Sequence, residues 1–113
     1  MKKIEAIVRP TKVGEVYAAL EKVGHPGMMV SEIEGHGKTK GIEQQVRGKT
    51  YRVDFITKAR IELVVEDAEV NDIVSAIQKA AFTGQIGDGK IFIYPLDDAV
   101  RVRTAEKGVS AIR

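Results

Sequence analysis

A chain of 113 residues can form one domain with a hydrophobic core but is too short for two. Its 43% hydrophobic and 30% charged residues are typical of a globular protein and exclude an intrinsically disordered chain. Because the chain has no cysteine and a net charge of only +2, disulfides and thiolate chemistry are excluded and general nucleic-acid binding is disfavoured.

The sequence also predicts where the protein works. No apolar run approaches the roughly 20 residues that span a bilayer. The first five residues, Met-Lys-Lys-Ile-Glu, lead into no apolar signal-peptide stretch. We therefore expect a soluble, cytoplasmic protein whose single domain comprises residues 1–113.

The first half of the chain predicts a strand, a helix and a second strand. Residues 3–9 alternate between polar and apolar side chains, which is typical of a strand. Apolar residues between positions 13 and 20 recur at the spacing of an amphipathic helix, which Gly24 can end. Residues 28–34 are apolar and β-branched enough for a second strand.

The second half repeats this order. Residues 57–66 alternate most clearly and predict a third strand. Asp67 then offers an N-cap, and the apolar spacing over residues 70–81 predicts a second helix. Residues 90–94 predict a fourth strand, and the alternation over residues 100–103 predicts a short fifth one.

This order of elements predicts an α+β fold, the ferredoxin-like split βαβ sandwich with two helices on one face of an antiparallel sheet. The other face of the sheet is expected to be mixed in character. Its apolar members favour a homo-oligomer that buries the open faces together, although an amphipathic face is also tolerated in a monomer. The residues expected there are Glu5, Ile7, Arg9, Glu62, Val64 and Phe92.

The connection over residues 37–54 is long and cationic, whereas the other connections are short. Structureless loops of this length are uncommon in compact domains and are usually functional or disordered. We expect a binding or switching loop, with a two-stranded hairpin that has Gly48 near its tip as a further possibility. A solvated surface loop is the alternative.

Two glycine-rich stretches can bring backbone N–H groups close to an anion. Residues 35–41 follow a strand, but their glycine spacing is not that of a dinucleotide fingerprint and no helix follows. Residues 84–91 match the first part of a P-loop, but Ile91 replaces the Ser or Thr and the helix-to-strand order is reversed. A Walker-type NTPase is therefore excluded. The second stretch can still hold phosphate, or it can be an ordinary helix cap followed by a turn.

Two arginines support phosphate binding. Arg101 and Arg103 lie two apart on a predicted strand and would point the same way, where an anion would relieve their repulsion. With Lys90 and the glycines, they favour a polyphosphate site. The alternative is a pair of surface ion pairs, for which the nearby candidates are Asp97, Asp98 and Glu106.

No catalytic constellation is recognisable, so we expect at most a weak ATPase activity. Two other classes of function stay open. A small phosphate-binding enzyme, a phosphotransferase, would use His25 or His36. An RNA-binding module of RRM-like topology would need exposed aromatic residues on its central strands, and Phe92 and Tyr94 are expected on opposite faces of the sheet.

Over essentially its whole length the chain resembles the PII signal-transduction proteins, which report nitrogen, carbon and energy status. The motifs that carry the resemblance are residues 37–41, 47–48, 51, 53–55, 58, 61–62, 83–84, 87–92 and 101–104. The resemblance implies a regulatory homotrimer of ferredoxin-like subunits, with ATP and ADP competing in the clefts between subunits. It also implies a T-loop, here about residues 37–54, that docks onto an ammonium transporter, a nitrogen-metabolism enzyme or a regulator. Membranes would be met only through a transporter, and nucleic acid not at all.

The resemblance also assigns roles to residues. It places Gly87, Gly89, Lys90, Arg101 and Arg103 on the phosphates, with Lys38 reaching across the cleft, and Ile7, Glu62 and Val64 around the adenine and ribose. Further nucleotide-binding positions are Met29, Gly35, Gly37, Thr39 and Asp88. Lys58 and Gly41 match the site for 2-oxoglutarate, and Tyr51 matches a tyrosine that some members nucleotidylate.

Three positions depart from the family pattern. Thr39 stands where a Gln usually binds the Mg²⁺ that ATP and 2-oxoglutarate share, and a shorter β-branched hydroxyl reaches less far. We therefore expect weak or absent binding of 2-oxoglutarate, and no protein ligand to a metal. Met29 replaces a hydroxyl residue near the adenine. The tip of the predicted T-loop, residues 44–46, is Gln-Gln-Val instead of Glu-Leu-Tyr, so its partner is open.

Overall fold

The computed structural model describes residues 1–25, 27–36, 42–46, 49–53 and 55–113. Within these ranges the chain forms six β-strands and three α-helices, and single 3-10 turns lead into the first two helices. In chain order the elements are β1 (Lys2–Val8), α1 (Val13–Lys22), β2 (Met29–His36), β3 (Ile42–Val46), β4 (Lys49–Val53), β5 (Phe55–Val65), α2 (Val70–Ala81), β6 (Gly89–Pro95) and α3 (Val109–Ile112).

Four strands form one antiparallel sheet in the order β2-β5-β1-β6. Strands β1 and β2 both run antiparallel to β5, so they are parallel to each other, and α1 connects them across β5. Helix α2 likewise connects β5 to β6 across β1. This interleaving is the predicted ferredoxin-like split βαβ arrangement, and the prediction is confirmed.

The core lies between this sheet and the two long helices, as the alternation and the helical spacing predict. Strands β1 and β5 bury every second side chain on one face, and α1 and α2 each contribute one apolar stripe. Burial of one large aliphatic side chain contributes about 1.5–3 kcal/mol. The fully buried large side chains are Ile4, Val8, Val16, Leu20, Ile61, Val65, Ile73 and Ile77.

Strands β3 and β4 form a separate two-stranded antiparallel sheet within the long connection. Ile42 lies opposite Val53, and Val46 lies opposite Lys49. The described part of the connection is therefore the hairpin that was one possibility for it. The prediction that Gly48 lies near its tip falls outside the described residues.

The predicted N-cap at Asp67 is wrong by one residue. The cap position is Glu66, whose N–H donates to Oε1 of Glu69 at 3.3 Å. Asp67 is the first residue of the 3-10 turn, and its carboxylate pairs with the amino terminus of Met1 at 2.9 Å. With two adjacent acidic residues, this contact with the chain start selects which of them caps the helix.

The predicted fifth strand over residues 100–103 is also wrong. The chain turns there instead: the Ala105 N–H donates to the Arg101 carbonyl at 2.8 Å, and Ala105 has a φ of 61°. One isolated bridge joins Val100 to Lys107. Arg101 and Arg103 are therefore not paired positions on one strand face.

The expectation that Phe92 and Tyr94 lie on opposite faces is wrong as well. Both belong to β6, where residues two apart share a face. Phe92 lies opposite Glu5 and Tyr94 lies opposite Lys3, both on the face away from the helices. The Lys3 ammonium stands 5.4 Å from the centre of the Tyr94 ring.

Candidate functional site

The face of the sheet away from the helices, here called the open face, carries most of the predicted ligand-binding side chains in rows across the strands. In one row Met29, Glu62, Glu5 and Phe92 follow one another from β2 to β6. In the next row the order from β2 to β6 is Ser31, Arg60, Ile7 and Lys90. The strands thus fix which predicted residues are neighbours.

At one end of the open face lies the loop between α2 and β6, here called the glycine loop (residues 83–89). Its glycines Gly84, Gly87 and Gly89 have φ values of 86°, 101° and 108°, which side chains other than glycine rarely adopt. A Cβ added at Gly89 would stand 1.7 Å from the Ile7 carbonyl oxygen. Glycine at position 89 therefore lets the loop pass directly against β1 before β6 begins.

The carboxylate of Asp88 closes the glycine loop on itself. It accepts hydrogen bonds from the Thr83 N–H at 2.8 Å, from the Gly84 N–H at 2.9 Å and from the Thr83 hydroxyl. The Thr83 hydroxyl also accepts from the Gln85 N–H at 3.1 Å. The bonds from Thr83 lead the interactions that hold the pKa of Asp88 far below its usual range, so its carboxylate is charged.

Two cationic side chains from the sheet tie this loop to the open face. Arg9, directly after β1, donates through Nε to Asp88 at 3.1 Å and through Nη2 to the Ile86 carbonyl at 2.9 Å. Lys58 of β5 donates to the Gly87 carbonyl. Partial burial first, and then the Arg9 charge, lower the pKa of Lys58, while Asp88 opposes the shift.

Lys90 stands at the mouth of the glycine loop. It is exposed, lies next to Ile7 on the open face and is the second residue of β6. A cleft of about 320 Å³ opens beside it, between the end of α2 and the start of β6. The residues that line the cleft are Val8, Gln78, Ala81, Phe82, Asp88, Gly89, Lys90 and Ile91.

Three of the residues predicted around the base, Met29, Glu62 and Val64, lie further along the open face, whereas Ile7 lies beside Lys90 at the glycine-loop end. Met29 is 62% exposed on the edge strand β2 and lies opposite Glu62. Glu62 forms ion pairs with Arg60 at 3.2 Å and with Lys3 at 3.7 Å, and Val64 follows two residues later on β5. These side chains form a half-exposed surface with one carboxylate held between two cations.

Arg101 lies at this second end and is engaged by the C-terminal segment. Its guanidinium donates to Glu106 Oε1 at 3.2 Å, to the Ser110 carbonyl at 3.0 Å and to the Arg113 carbonyl. Arg113 in turn pairs with Glu66 at the end of β5. The alternative of a surface ion pair is therefore what this structure shows for Arg101, with Glu106 as partner. Arg103 is exposed in the following turn.

A cleft of about 480 Å³ lies beside these residues. Its walls come from the loop after α1, the end of β5 and the last two residues of the chain. It includes Gly27, Val64, Glu66, Ile112 and Arg113. The C-terminal segment thus borders the surface on which the base was predicted.

The structure divides the predicted nucleotide-binding residues into two groups. Ile7, Gly87, Asp88, Gly89 and Lys90 lie together at the glycine-loop end, with Lys58. Met29, Glu62, Val64 and Arg101 lie toward the opposite end. Arg60 is in the same row as Lys90, and Val64 lies four residues further along β5, or about 13 Å away. Strands β5 and β6 are two positions apart in the sheet, or about 10 Å.

Several predicted residues cannot be placed in either group. Gly37, Lys38, Thr39 and Gly41 lie outside the described residues. Gly35 is described only as part of β2, opposite Ile56, and Tyr51 only as part of β4, opposite Gln44. The roles predicted for these six positions stay predictions.

The sequence predictions missed Arg9 as a site residue and placed it only on the open face. The signal was weak because its partners Ile86 and Asp88 are 77 and 79 residues away in the chain. Thr83 was noticed only as part of a motif. Its spacing of five residues from Asp88 gives no hint that both its N–H and its hydroxyl bind that carboxylate.

Within the described ranges, the helices are either too short or too polar to cross a membrane. In the same ranges, His, Asp and Glu side chains form no group of three or more with the arrangement of a metal site.

Comparison with known proteins gives a consistent result. The sequence model of the family described as nitrogen regulatory protein P-II matches residues 1–106. The P-II protein of Rhodospirillum rubrum is 53% identical over 112 residues, which are 99% of this chain and all of that protein. The P-II protein of Synechocystis sp. is 51% identical with the same coverage of both chains.

A crystal structure of Arabidopsis thaliana PII bound to citrate is similar to this structure with a TM-score of 0.81 and 38% sequence identity. The match covers 99% of this chain and 89% of that one. The likeness therefore extends over the whole fold and is not confined to the glycine loop.

Proposed function

The chain belongs to the nitrogen regulatory protein P-II family, and we propose that it is a nucleotide sensor in which ATP and ADP compete for sites between the subunits of a homotrimer. Its relatives are named as regulatory proteins, which fits a signalling protein and not an enzyme. The nucleotide state is passed on through the T-loop, residues 37–54, to a partner in nitrogen metabolism. An ammonium transporter, an enzyme or a regulator are the partner classes.

The observation that carries this proposal is the separation of the predicted residues into two groups along the open face, from the row of Lys90 to the row of Val64. One subunit does not bring Lys90 and Val64 to one place, because they are about 13 Å apart along the strands and two strands apart across the sheet. A nucleotide that uses both groups is best served by two subunits, with the glycine loop of one facing the base surface of the next.

The glycine-loop end is suited to the phosphates. Glycines with positive φ let main-chain N–H groups approach an anion closely, and Lys90 supplies an exposed cation at the loop mouth. The other end is suited to the base. Met29 and Val64 offer apolar contact, and Glu62 offers an acceptor for a ribose hydroxyl.

Arg101 has to exchange partners when it takes up a phosphate. In this structure its guanidinium is bound by Glu106 and by two carbonyls of the C-terminal segment. A phosphate is a stronger acceptor for the planar donor fork than a backbone carbonyl. Nucleotide binding is therefore expected to free Ser110 and Arg113 from Arg101.

We propose that ATP carries the Mg²⁺ it needs largely on its own phosphates and that 2-oxoglutarate binds weakly or not at all. Thr39 is a poorer metal ligand than the amide of Gln. Lys58 donates to the Gly87 carbonyl, which leaves two of its three N–H donors for a carboxylate. One partly exposed ion pair contributes about 1 kcal/mol or less. Thr39→Gln should strengthen 2-oxoglutarate binding in the presence of Mg-ATP.

Calorimetric titration with ATP and with ADP tests the nucleotide site directly. Both are expected to bind, each should displace the other, and Arg101→Ala or Arg103→Ala should weaken binding about 30-fold or more. Lys22→Ala on α1 is the control that should not. Equal binding by the parent and by both arginine variants would reject the phosphate assignment, and sedimentation as a monomer would reject the trimer.

The two rival functions have less support. His25 pairs with Glu69 at the start of α2, whereas the glycine loop follows the end of that helix. The side chain of His36 is outside the described residues. For RNA binding, the central strand β1 and residues 56–65 of β5 carry no aromatic residue, and Phe92 and Tyr94 lie on the edge strand β6.

A further inference from the structure

The glycine loop contains a negative charge of its own. Asp88 is ionised and lies between Gly87 and Gly89, the two glycines placed on the phosphates. A carboxylate at this position repels a polyphosphate unless its charge is neutralised nearby. The loop therefore needs a fixed cation on Asp88 that the ligand does not displace.

We propose that Arg9 is the positioning residue of the phosphate site: it fixes the glycine loop and neutralises Asp88, so that the loop faces a nucleotide as a net cation. This inference rests on the proposed function. We assign Arg9 to the loop, since its Nε and Nη2 both donate to loop acceptors.

The geometry explains why an arginine stands here. Pro10 follows Arg9 and restricts it to an extended backbone, and Arg9 has a φ of −63° and a ψ of 138°. From there the guanidinium reaches two acceptors two residues apart, the Asp88 carboxylate and the Ile86 carbonyl. The rigid fork of donors suits this double contact, whereas a lysine ammonium is a single point of charge.

The other donors to Asp88 show that its carboxylate faces the glycine loop. Its oxygens take the Thr83 and Gly84 N–H groups and the Thr83 hydroxyl as well as Arg9. Lys58 separately holds the Gly87 carbonyl. With the carboxylate satisfied in this way, Lys90 at the loop mouth is left as the cation that meets the ligand.

The ion pair between Arg9 and Asp88 is partly shielded from water. The Arg9 side chain is 31% exposed and that of Asp88 is 24% exposed, so both are partly withdrawn from water. Salt screens such a pair less than it screens a pair on the surface. The neutralisation of Asp88 is therefore expected to persist at physiological ionic strength.

The test measures ADP and ATP binding by calorimetry for the parent, Arg9→Met, Asp88→Asn and the double variant. We expect Arg9→Met to weaken binding about 10- to 100-fold, since it exposes an uncompensated carboxylate. Asp88→Asn keeps an acceptor for Thr83 and Gly84 and removes the charge that Arg9 neutralises, so it should weaken binding less than Arg9→Met does. The double variant should bind within about threefold of Asp88→Asn.

Two controls separate positioning from a general effect. Lys12→Met removes one cation three residues away, where it pairs with Glu15 at 3.0 Å, and should leave affinity unchanged. Arg9→Lys retains the charge but not the double contact and should bind with intermediate affinity. If the double variant stays as weak as Arg9→Met, or if Lys12→Met has the same effect as Arg9→Met, the inference is overturned.

A second measurement does not depend on nucleotide. Amide exchange of Thr83 and Gly84 should accelerate in Arg9→Met, since their acceptor Asp88 is no longer anchored. Unchanged exchange at both amides would reject Arg9 as the residue that fixes the loop. A parent protein that binds neither ATP nor ADP would instead reject the proposed function, and the exchange result would still decide the role of Arg9 in the loop.

Discussion

The connections that follow α1 and α2 each contain a glycine with the same φ, yet they are held in different ways. Gly24 and Gly84 both have a φ of 86°. After α1 the turn is closed by main-chain bonds, from the Gly24 N–H to the Glu21 carbonyl at 3.0 Å and from the His25 N–H to the Leu20 carbonyl at 2.8 Å. After α2 the turn is closed by the side chain of Asp88.

The difference shows what makes a loop suitable for a ligand. Glycine provides the same φ in both halves of the fold, so glycine alone does not distinguish a structural turn from a binding loop. Among the described residues, only the second connection receives cationic side chains from β1 and β5, namely Arg9, which directly follows β1, and Lys58. It is also the one that ends in a glycine pressed against the backbone of β1.

The largest expected effect contrasts two glycines. Gly89→Ala would force a Cβ to within 1.7 Å of the Ile7 carbonyl oxygen and would strain a φ of 108°, so it should lower the free energy of unfolding by roughly 2–5 kcal/mol. Gly24→Ala meets no atom within 4 Å and should cost only about 1–2 kcal/mol for the left-handed backbone. Urea denaturation of both variants measures the difference, and equal losses would contradict it.

The next effect concerns the ligand. Lys90→Met removes the ammonium at the mouth of the glycine loop and should weaken ATP and ADP binding about 10- to 100-fold, as expected for a lost charge-assisted hydrogen bond. Lys22→Met removes an exposed lysine from the last turn of α1, beside the other connection, and should not change affinity. Calorimetry measures the nucleotide affinity of both variants. An unchanged affinity in Lys90→Met would show that the phosphates bind elsewhere.

The acid stability of the protein should separate the two connections further. Because bonds from Thr83, Gly84 and Arg9 lower the pKa of Asp88 below its ordinary 3.8, its contribution to stability is complete above that pH. It is then lost as the pH falls below about 3.8. Asp88→Asn should flatten this part of a curve of melting temperature against pH. Asp72→Asn, an exposed acid on α2, is the matched control whose curve should keep the parent's slope.

The sequence predicted those parts of the fold that depend on local periodicity. The alternation of Ile4, Ala6 and Val8 sets the buried face of β1, and the same pattern sets that of β5, wherever these strands lie in the sheet. The two glycine-rich stretches were also recognisable, because each is a local feature of the sequence. Most ligand roles, in contrast, came from the resemblance to the PII proteins.

What the sequence did not predict depends on contacts between distant segments. The alternation at residues 100–103 predicted a strand, but bonds to Glu106 and to the C-terminal residues turn the chain there. The partnership of Arg9 with Asp88 joins residues 79 positions apart. Local spacing contains no information on the contact of Arg9 with Asp88, since it exists only once the sheet has aligned the two segments, whereas Glu106 was already a candidate partner of Arg101.

The smallest expected effect is on the connection after α1. His25 in that connection hydrogen-bonds to Glu69, which also accepts the Glu66 N–H. Burial opposes the ionisation of Glu69, but these two bonds outweigh it and hold the pKa of Glu69 below its ordinary 4.5. The contribution of Glu69 is therefore present above about pH 4.5 and is lost as the pH falls.

Glu69→Gln at neutral pH should lower the free energy of unfolding by about 0.5 kcal/mol, at the lower end for a helix cap because the side chain is partly exposed. Nucleotide affinity should not change, since Glu69 lies at the start of α2 and the glycine loop follows its end. Urea denaturation and calorimetry on the same preparation check both expectations. A loss of affinity in this variant would show that the connection after α1 also supports the ligand, and the contrast between the two connections would fail.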